Sequence, residues 1–297
     1  MYAIVESRPL ARGIKLFRIH APRIARKQRP GQFVIVRLHE KGERIPLTLA
    51  DADPETGTVT ICVQGIGKTT MLFNMLEAGD SILDIVGPLG KASDIEYYGT
   101  CVVASGSVGT AMAYPTGRAL REAGNHVISI VGARSEDLLC LEEEVRAASD
   151  ETIVCTDDGS RGRKALVTEP LQELIASRKI DYVLAVGPVP MMRAVANITR
   201  EHNIKTMVSL NSIMVDGTGM CGGCRVLVNN NSQFACVDGP EFDAHQVNFQ
   251  VLMQRNNMYR DKERVSLENF EKNCQLELAE MRAKMQEANM REVRCER

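Results

Sequence analysis

The sequence predicts a β + α/β protein: a small antiparallel β-barrel, then an α/β domain on a parallel sheet, then a short cysteine-bearing segment and a helical tail. Three observations carry that prediction. Residues 1–95 are short strand-like runs broken by turn residues, the rhythm of an antiparallel barrel. From Gly99 apolar runs alternate with amphipathic stretches of helix length, which implies a parallel sheet covered on both faces. Beyond residue 205 a glycine-rich loop carries closely spaced cysteines, and beyond residue 259 the chain becomes charged and helix-favouring.

The 297 residues leave room for two ordinary domains. A formal charge of −2 without a basic tract gives no reason to expect nucleic acid. No apolar run reaches the length of a membrane span, and the first residues read as a strand, not a signal peptide. A cytoplasmic location is therefore expected. The nine cysteines have no disulfide-like rhythm, and Cys62, Cys101 and Cys155 fall in apolar strand-like runs where small buried thiols are common.

In the first third, strands are expected at 2–6, 14–20, 32–38, 47–51, 58–63 and 81–86. Three features there suit an anionic cofactor. Residues 44–48 (Arg-Ile-Pro-Leu-Thr) place a cation, a rigid proline and a hydroxyl at the head of a strand. Residues 65–70 (Gly-Ile-Gly-Lys-Thr-Thr) run into a helix expected at 71–76, so free N–H groups and Lys68 face whatever lies before it. Gly87 and Gly90 mark a tight turn at the end of the barrel. Alone, a Gly-x-Gly before a helix is more often a turn and cap; the ordered combination is what points to a cofactor.

In the middle, strands are expected at 100–104, 126–131, 152–156 and 182–186, with helices at 111–123, 138–148, 166–177 and 191–202. Ligands of such sheets sit at the carboxyl ends of strands. Those ends carry Gly106, Val108, Gly109 and Thr110, then Gly132 and Arg134, then Asp157, then Gly187 and Pro188. Glycines at successive strand ends leave a backbone-lined trough suited to a dinucleotide.

The segment from Asp216 reads ligand-x4-Cys221-x2-Cys224-x11-Cys236. This is the plant-type 2Fe–2S spacing with Asp216 in the place of the first cysteine. The competing reading is a structural zinc site with three thiolates and a carboxylate. A zinc claw usually closes with a second Cys or His pair, and the nearby histidine is His245 alone, so the cluster is favoured. Asp216 is either the fourth ligand or simply the Asp of an Asp-Gly turn. In the tail, Leu267, Phe270, Cys274, Leu278, Met281, Met285 and Ala288 recur at three- and four-residue intervals. That stripe fits a helix lying on this chain's own core or one docked on a partner.

With these features in place, the chain to about residue 259 resembles the ferredoxin–NADP reductase superfamily, and within it the small subunits of electron-bifurcating NADH-dependent ferredoxin:NADP oxidoreductases. The electron-transfer subunits of dihydroorotate dehydrogenase and sulfide dehydrogenase are near relatives. The likeness rests on residues 44–48, on 187–192 (Gly-Pro-Val-Pro-Met-Met), on 209–224 and on 234–245. It implies an FAD-binding barrel at 1–95, an NAD(P)-binding domain at 96–205, a 2Fe–2S segment at 206–248 and a helical tail at 249–297. It further implies Asp216, Cys221, Cys224 and Cys236 as cluster ligands; the dihydroorotate relatives use four cysteines, so Asp216 favours the bifurcating group. Thr48 would hydrogen-bond the flavin ring, Pro46 and Leu47 would line it, and Gly65, Gly67, Lys68, Thr69 and Thr70 would take the phosphates.

The sequence departs from the superfamily in two places. Arg44 lies one residue further from Thr48 than usual, with Leu47 replacing an aromatic, and Ser105, Ser107 and Met112 replace Gly, Gly and Pro in the nucleotide loop. The resemblance implies NAD(H) in preference to NADP(H), Arg134 being followed by Glu136 and Asp137. It also implies a large partner flavoprotein, like the glutamate synthase small subunit, with its own FAD and 4Fe–4S clusters, serving ferredoxin and NADP(H). The alternatives are an electron-transfer subunit of a sulfide or dihydroorotate dehydrogenase or a bifurcating hydrogenase, or a non-catalytic redox-sensing relay.

Overall fold

The structure, a computed structural model, describes residues 1–295 and the side chains of residues 1–284. Seven strands form the first sheet: β1 (Tyr2–Ala11), β2 (Ile14–His20), β3 (Phe33–Arg37), β4 (Arg44–Asp53), β5 (Thr58–Gln64), β6 (Ser81–Ile82) and β7 (Asp84–Leu89), in the order β6-β1-β2-β5-β4-β3-β7. The pairs are antiparallel, and the sheet curls around a core that includes Phe17, Val34, Val36, Leu49, Ile61 and Phe73. A short helix α1 (Pro22–Ala25) and α2 (Lys68–Asn74) close its ends.

Strand β4 changes partner along its length. Residues 44–48 pair with β3, whereas Leu49 to Asp53 pair with β5 across a register shift. The first half of β4 therefore has one neighbour only. That is where a proline is tolerated, because its missing N–H leaves no gap in a second ladder.

The second sheet uses β8 (Thr100–Gly106), β9 (His126–Ala133), β10 (Glu151–Thr156), β11 (Arg163–Lys164), β12 (Tyr182–Val186) and β13 (Lys205–Ser209). Its order is β11-β10-β9-β8-β12-β13 and all these pairs are parallel. Helices α3 (Gly109–Glu122), α4 (Glu142–Ala147), α5 (Thr168–Ser177) and α6 (Val189–Glu201) cover it. The order reverses at β8, so the loops after β8 and β12 part there and open a crevice.

The cluster segment adds a hairpin, β14 (Arg225–Val228) with β15 (Asn231–Phe234), a turn of helix α7 (Ala235–Asp238) and the strand β16 (Glu241–Asp243). Strand β16 pairs antiparallel with β13, and one apolar core runs from β8–β10 through Cys224, Val226 and Cys236. Helix α8 (Phe249–Asn256) leads to α9 (Arg260–Cys295).

Three expectations need correction. The helix expected at 138–148 is a short 3-10 turn at Glu136–Leu138 followed by α4, with Leu141 at φ 57° between them. Leu141 packs with Leu16, Ala50 and Cys62 of the barrel, so burial of this apolar run overrides its helical period. Strands β11, β13 and β16 and the hairpin β14–β15 are not among the expected strands. The tail, open between two readings, lies on its own barrel: Phe270, Leu278 and Met281 are buried in the barrel core. Met285 and Ala288 lie outside the described side chains.

Candidate functional site

Three sites converge on the seam between the two sheets. The first is a cleft of about 1,230 Å³ bounded by Arg44, Pro46, the loop before α2, residues 212–215 and the start of α9. Alternation along β4 puts Arg44, Pro46 and Thr48 on one face and Ile45, Leu47 and Leu49 on the other. Leu47 packs against the barrel core, whereas Arg44 and Pro46 line the cleft; Ile45 does both. The extra residue after Arg44 thus leaves it on the face of Pro46 and Thr48.

At the head of α2, the N–H groups of Ile66 and Gly67 donate to Thr70 Oγ1 at 3.1 and 3.0 Å. Thr69 Oγ1 donates to the Glu43 carboxylate, and Lys68 Nζ lies 3.1 Å from Glu277 of α9. Ser212 Oγ is buried and has no hydrogen-bond partner among the described residues. Arg44, Lys68, Arg260 and Arg264 outnumber the carboxylates Glu43, Asp261 and Glu263 around this cleft, and with its hydroxyls and volume they fit a flavin dinucleotide. Thr48 and Gly65 are not among the lining residues. Gly87 and Gly90 stand elsewhere: a Cβ on Gly90 would be 2.9 Å from both Phe33 and Pro240, so this turn is a packed joint between barrel and cluster segment.

The second site is a cavity of about 600 Å³ at the carboxyl ends of β8, β9, β10 and β12. Gly106, Ser107, Gly132, Arg134, Asp157 and Pro188 line it, and Gln64 and Ile66 reach it from the barrel. Ile66 lines the flavin-sized cleft too, so it stands between the two spaces. Of the three unusual loop residues, Ser107 alone faces the cavity. Ser105 is buried, its hydroxyl 3.2 Å from Thr110 Oγ1, and Met112 packs against Cys101 and Val103 under the sheet. Thr110 is likewise internal, and Val108 packs with Leu16 and Ala111. A Cβ on Gly109 would meet Val186 O at 2.5 Å, so its bareness serves the approach of α3 to β12. Gly187 stands behind the wall, packed on Met191.

The third site is the cysteine loop. Cys224 and Cys236 are buried, their sulfurs 3.2 Å apart, and Cys221 is exposed. Backbone N–H groups of Gly223 and Cys236 point at Cys221 Sγ and Cys224 Sγ, each at 3.4 Å. Burial pushes the Cys236 thiol up to about 12. The Asp216 carboxylate accepts from Thr218 N at 2.8 Å and Cys221 N at 2.9 Å, which holds its pKa below the usual range. Among the described residues no three His, Cys, Asp or Glu side chains already converge at metal distance. Two paired thiols, a third one loop away and N–H groups aimed at sulfur are the donor set an iron–sulfur cluster takes. Arg255 Nη2 on α8 donates to Gly223 O at 3.1 Å, a support with no signal in the local residue pattern.

Residues 212–215 and the first turns of α9 also escaped the sequence reading as cleft walls, because apolar spacing alone made α9 a tail. Cys62, Cys101 and Cys155 are buried, and desolvation raises all three thiols.

Comparison with known proteins agrees with this layout. Residues 211–248 match the family described as the iron–sulfur cluster binding domain of dihydroorotate dehydrogenase B. A Thermotoga maritima homologue of the electron transfer subunit of dihydroorotate dehydrogenase B (NAD(+)) is 48% identical over 90% of this chain and 94% of its own. The corresponding Bacillus caldolyticus subunit is 34% identical over 74% and 87%. A chain of the solved NADH-dependent reduced ferredoxin-NADP oxidoreductase superposes with TM-score 0.87 at 46% identity, over 91% of this chain and 98% of that one.

Proposed function

The chain belongs to the family of dihydroorotate dehydrogenase B electron transfer subunits and their homologues, of ferredoxin reductase fold, and from that membership we propose that it is the small subunit of an electron-bifurcating, NADH-dependent ferredoxin:NADP oxidoreductase. Its coarser role is that of an electron-transfer subunit of a flavin and iron–sulfur oxidoreductase with FAD, a 2Fe–2S cluster and NAD(H) as cofactors. When bound, these groups supply hydride exchange at the nicotinamide and flavin and one-electron transfer at the cluster.

In this reading the residues of the chain bind and orient. Arg44, Pro46 and residues 66–70 hold the flavin on the barrel. Gly106, Gly132, Arg134, Asp157 and Pro188 hold the nucleotide, and Asp216, Cys221, Cys224 and Cys236 hold the cluster. Ile66, shared by both cavities, borders the place where the two dinucleotides would meet. The division into 1–95, 96–205, 206–248 and 249–297 assigns one cofactor to each of the first three parts, and the tail packs back on the barrel. No protein acid or base is required.

The observation that supports this most is continuity: residues 212–215 line the flavin-sized cleft and run directly into the cysteine loop at Asp216. The cleft wall and the first residue of the cysteine segment are thus consecutive in the chain, which supports electron exit from a flavin toward a cluster. We further propose a large flavoprotein partner with its own FAD and 4Fe–4S clusters, at which ferredoxin and NADP(H) react. Anaerobic purification with iron, sulfide and flavin analysis, NADH titration and identification of the co-purifying chain tests this. Zinc without labile sulfide, or a flavin that NADH does not bleach, would sink it. A dihydroorotate-oxidising partner would favour the second reading that the family match supports.

A further inference from the structure

The cleft assigned above to FAD has a wall that the barrel does not supply. Arg260, Arg264 and Leu267 of α9 line it, with Asp261 and Glu263 beside them, and the i, i+4, i+7 spacing of the first three sets them on one face of the helix. That face is fixed in place. Phe270, Leu278 and Met281 are buried in the barrel core, and Arg282 donates to both Asp80 oxygens at 3.1 and 2.7 Å.

One barrel cation on the cleft, Arg44, makes no ion pair among the described residues, but the groups at the head of α2 are already engaged. Lys68 Nζ is 3.1 Å from Glu277, and Thr69 Oγ1 is bonded to the Glu43 carboxylate. The tail arginines are held loosely by comparison. Arg264 pairs with Asp261 at 3.7 Å, between side chains 69% and 96% exposed, and such a pair is easily given up. Arg260 makes no ion pair among the described residues. Ser212, which also lines the cleft, has a buried hydroxyl with no hydrogen-bond partner among the described residues.

We propose that α9 is a working wall of the flavin site, with Arg260 and Arg264 gripping the diphosphate of FAD. The inference rests on the flavin reading given above. The chemistry follows from the ligand: among ring, ribityl chain, diphosphate and adenosine, the diphosphate alone is anionic, and guanidinium is the side chain suited to it. The tail then acts as a determinant of FAD over neutral flavins.

The test uses the full chain, stripped of flavin and titrated with FAD and with riboflavin by quenching of flavin fluorescence. The double variant R260Q/R264Q is expected to weaken FAD on the order of tenfold or more, while riboflavin binding stays within about twofold. R260K/R264K, which keeps the charges, should recover much of the FAD affinity. An unchanged FAD affinity in the glutamine variant would overturn the proposal. So would an equal loss for FAD and riboflavin, which would mean that α9 merely shapes the cleft. Failure of the parent chain to bind either flavin would remove the flavin reading itself, a result distinct from both. Both arginines are exposed, so the variants should melt like the parent.

Discussion

Gly217 sits against Ile35: a Cβ added to it would lie 2.7 Å from Ile35 Cγ1 and 2.7 Å from Leu89 Cδ1. Ile35 is also the cross-strand partner of Pro46, so the cysteine loop rests on the strand pair that bounds the flavin-sized cleft. With φ at 76°, Gly217 further occupies a conformation that disfavours a side chain. Gly217→Ala is therefore expected to lift the loop from the barrel and destabilise the protein by about 1–3 kcal/mol. Iron and acid-labile sulfide per chain should fall, and thermal melting should show the loss.

The ligand set makes a graded prediction. Cys224 and Cys236 are buried as a pair, and replacing either by Ser should abolish iron and sulfide binding. Cys221→Ser, on the exposed side of the loop, should do so as well. Asp216→Ala removes the acceptor of two backbone N–H bonds, so cluster content should drop. Asp216→Cys should restore a cluster with an altered visible spectrum, because thiolate is the softer ligand. If Asp216→Ala keeps full iron and sulfide, the aspartate serves the turn alone.

Legibility differed between the parts for physical reasons. Most strands of the two sheets are readable because their apolar patterns are local, with β11, β13 and β16 excepted, and the cysteine spacing because ligand geometry fixes it. Partner exchange along β4, which opens the cleft beside Pro46, depends on a register shift that no local pattern encodes. The same holds for Ser105, whose hydroxyl turns inward to Thr110 and Ile130. From sequence it looks as obstructive as Ser107, which does face the cavity. The break before α4 arises from contacts of Leu141 with a different domain, and the docking of α9 from Phe270 meeting a core some two hundred residues earlier in the chain.

Ser107 leads to the next prediction. It holds φ 54° and lines the nucleotide cavity, while its N–H donates to Gly132 O at 2.8 Å. A left-handed conformation costs a non-glycine residue on the order of 1 kcal/mol. Ser107→Gly should relieve that strain, raise stability by up to about 1 kcal/mol and clear the floor of the cavity. The KM for NADH in a dye-reduction assay should fall while kcat changes little. A higher KM would show that the hydroxyl contacts the nucleotide.

Glu241 ties the three parts of the chain together and makes stability pH-dependent. Its carboxyl accepts from Ser93 Oγ at 2.7 Å, that hydroxyl lies 2.8 Å from Thr116 Oγ1 of α3, and a Cβ on Gly31 of the barrel would be 3.1 Å from Glu241 Oε1. Burial raises the acid to about 7, against the lowering bond from Ser93 and with the help of Asp94. A carboxyl raised in the fold binds its proton more tightly folded than unfolded. Its penalty is absent below the ordinary glutamate range and grows as pH climbs toward 7, above which it is complete. The full span corresponds to roughly 3 kcal/mol at most. Glu241→Gln keeps an acceptor for Ser93 and removes the ionisation. The variant should match the parent near pH 4.5 and exceed it increasingly up to about pH 7–8. Denaturant melts of both proteins across that range measure the difference directly, and parallel curves at every pH would show that this carboxyl ionises as freely folded as unfolded.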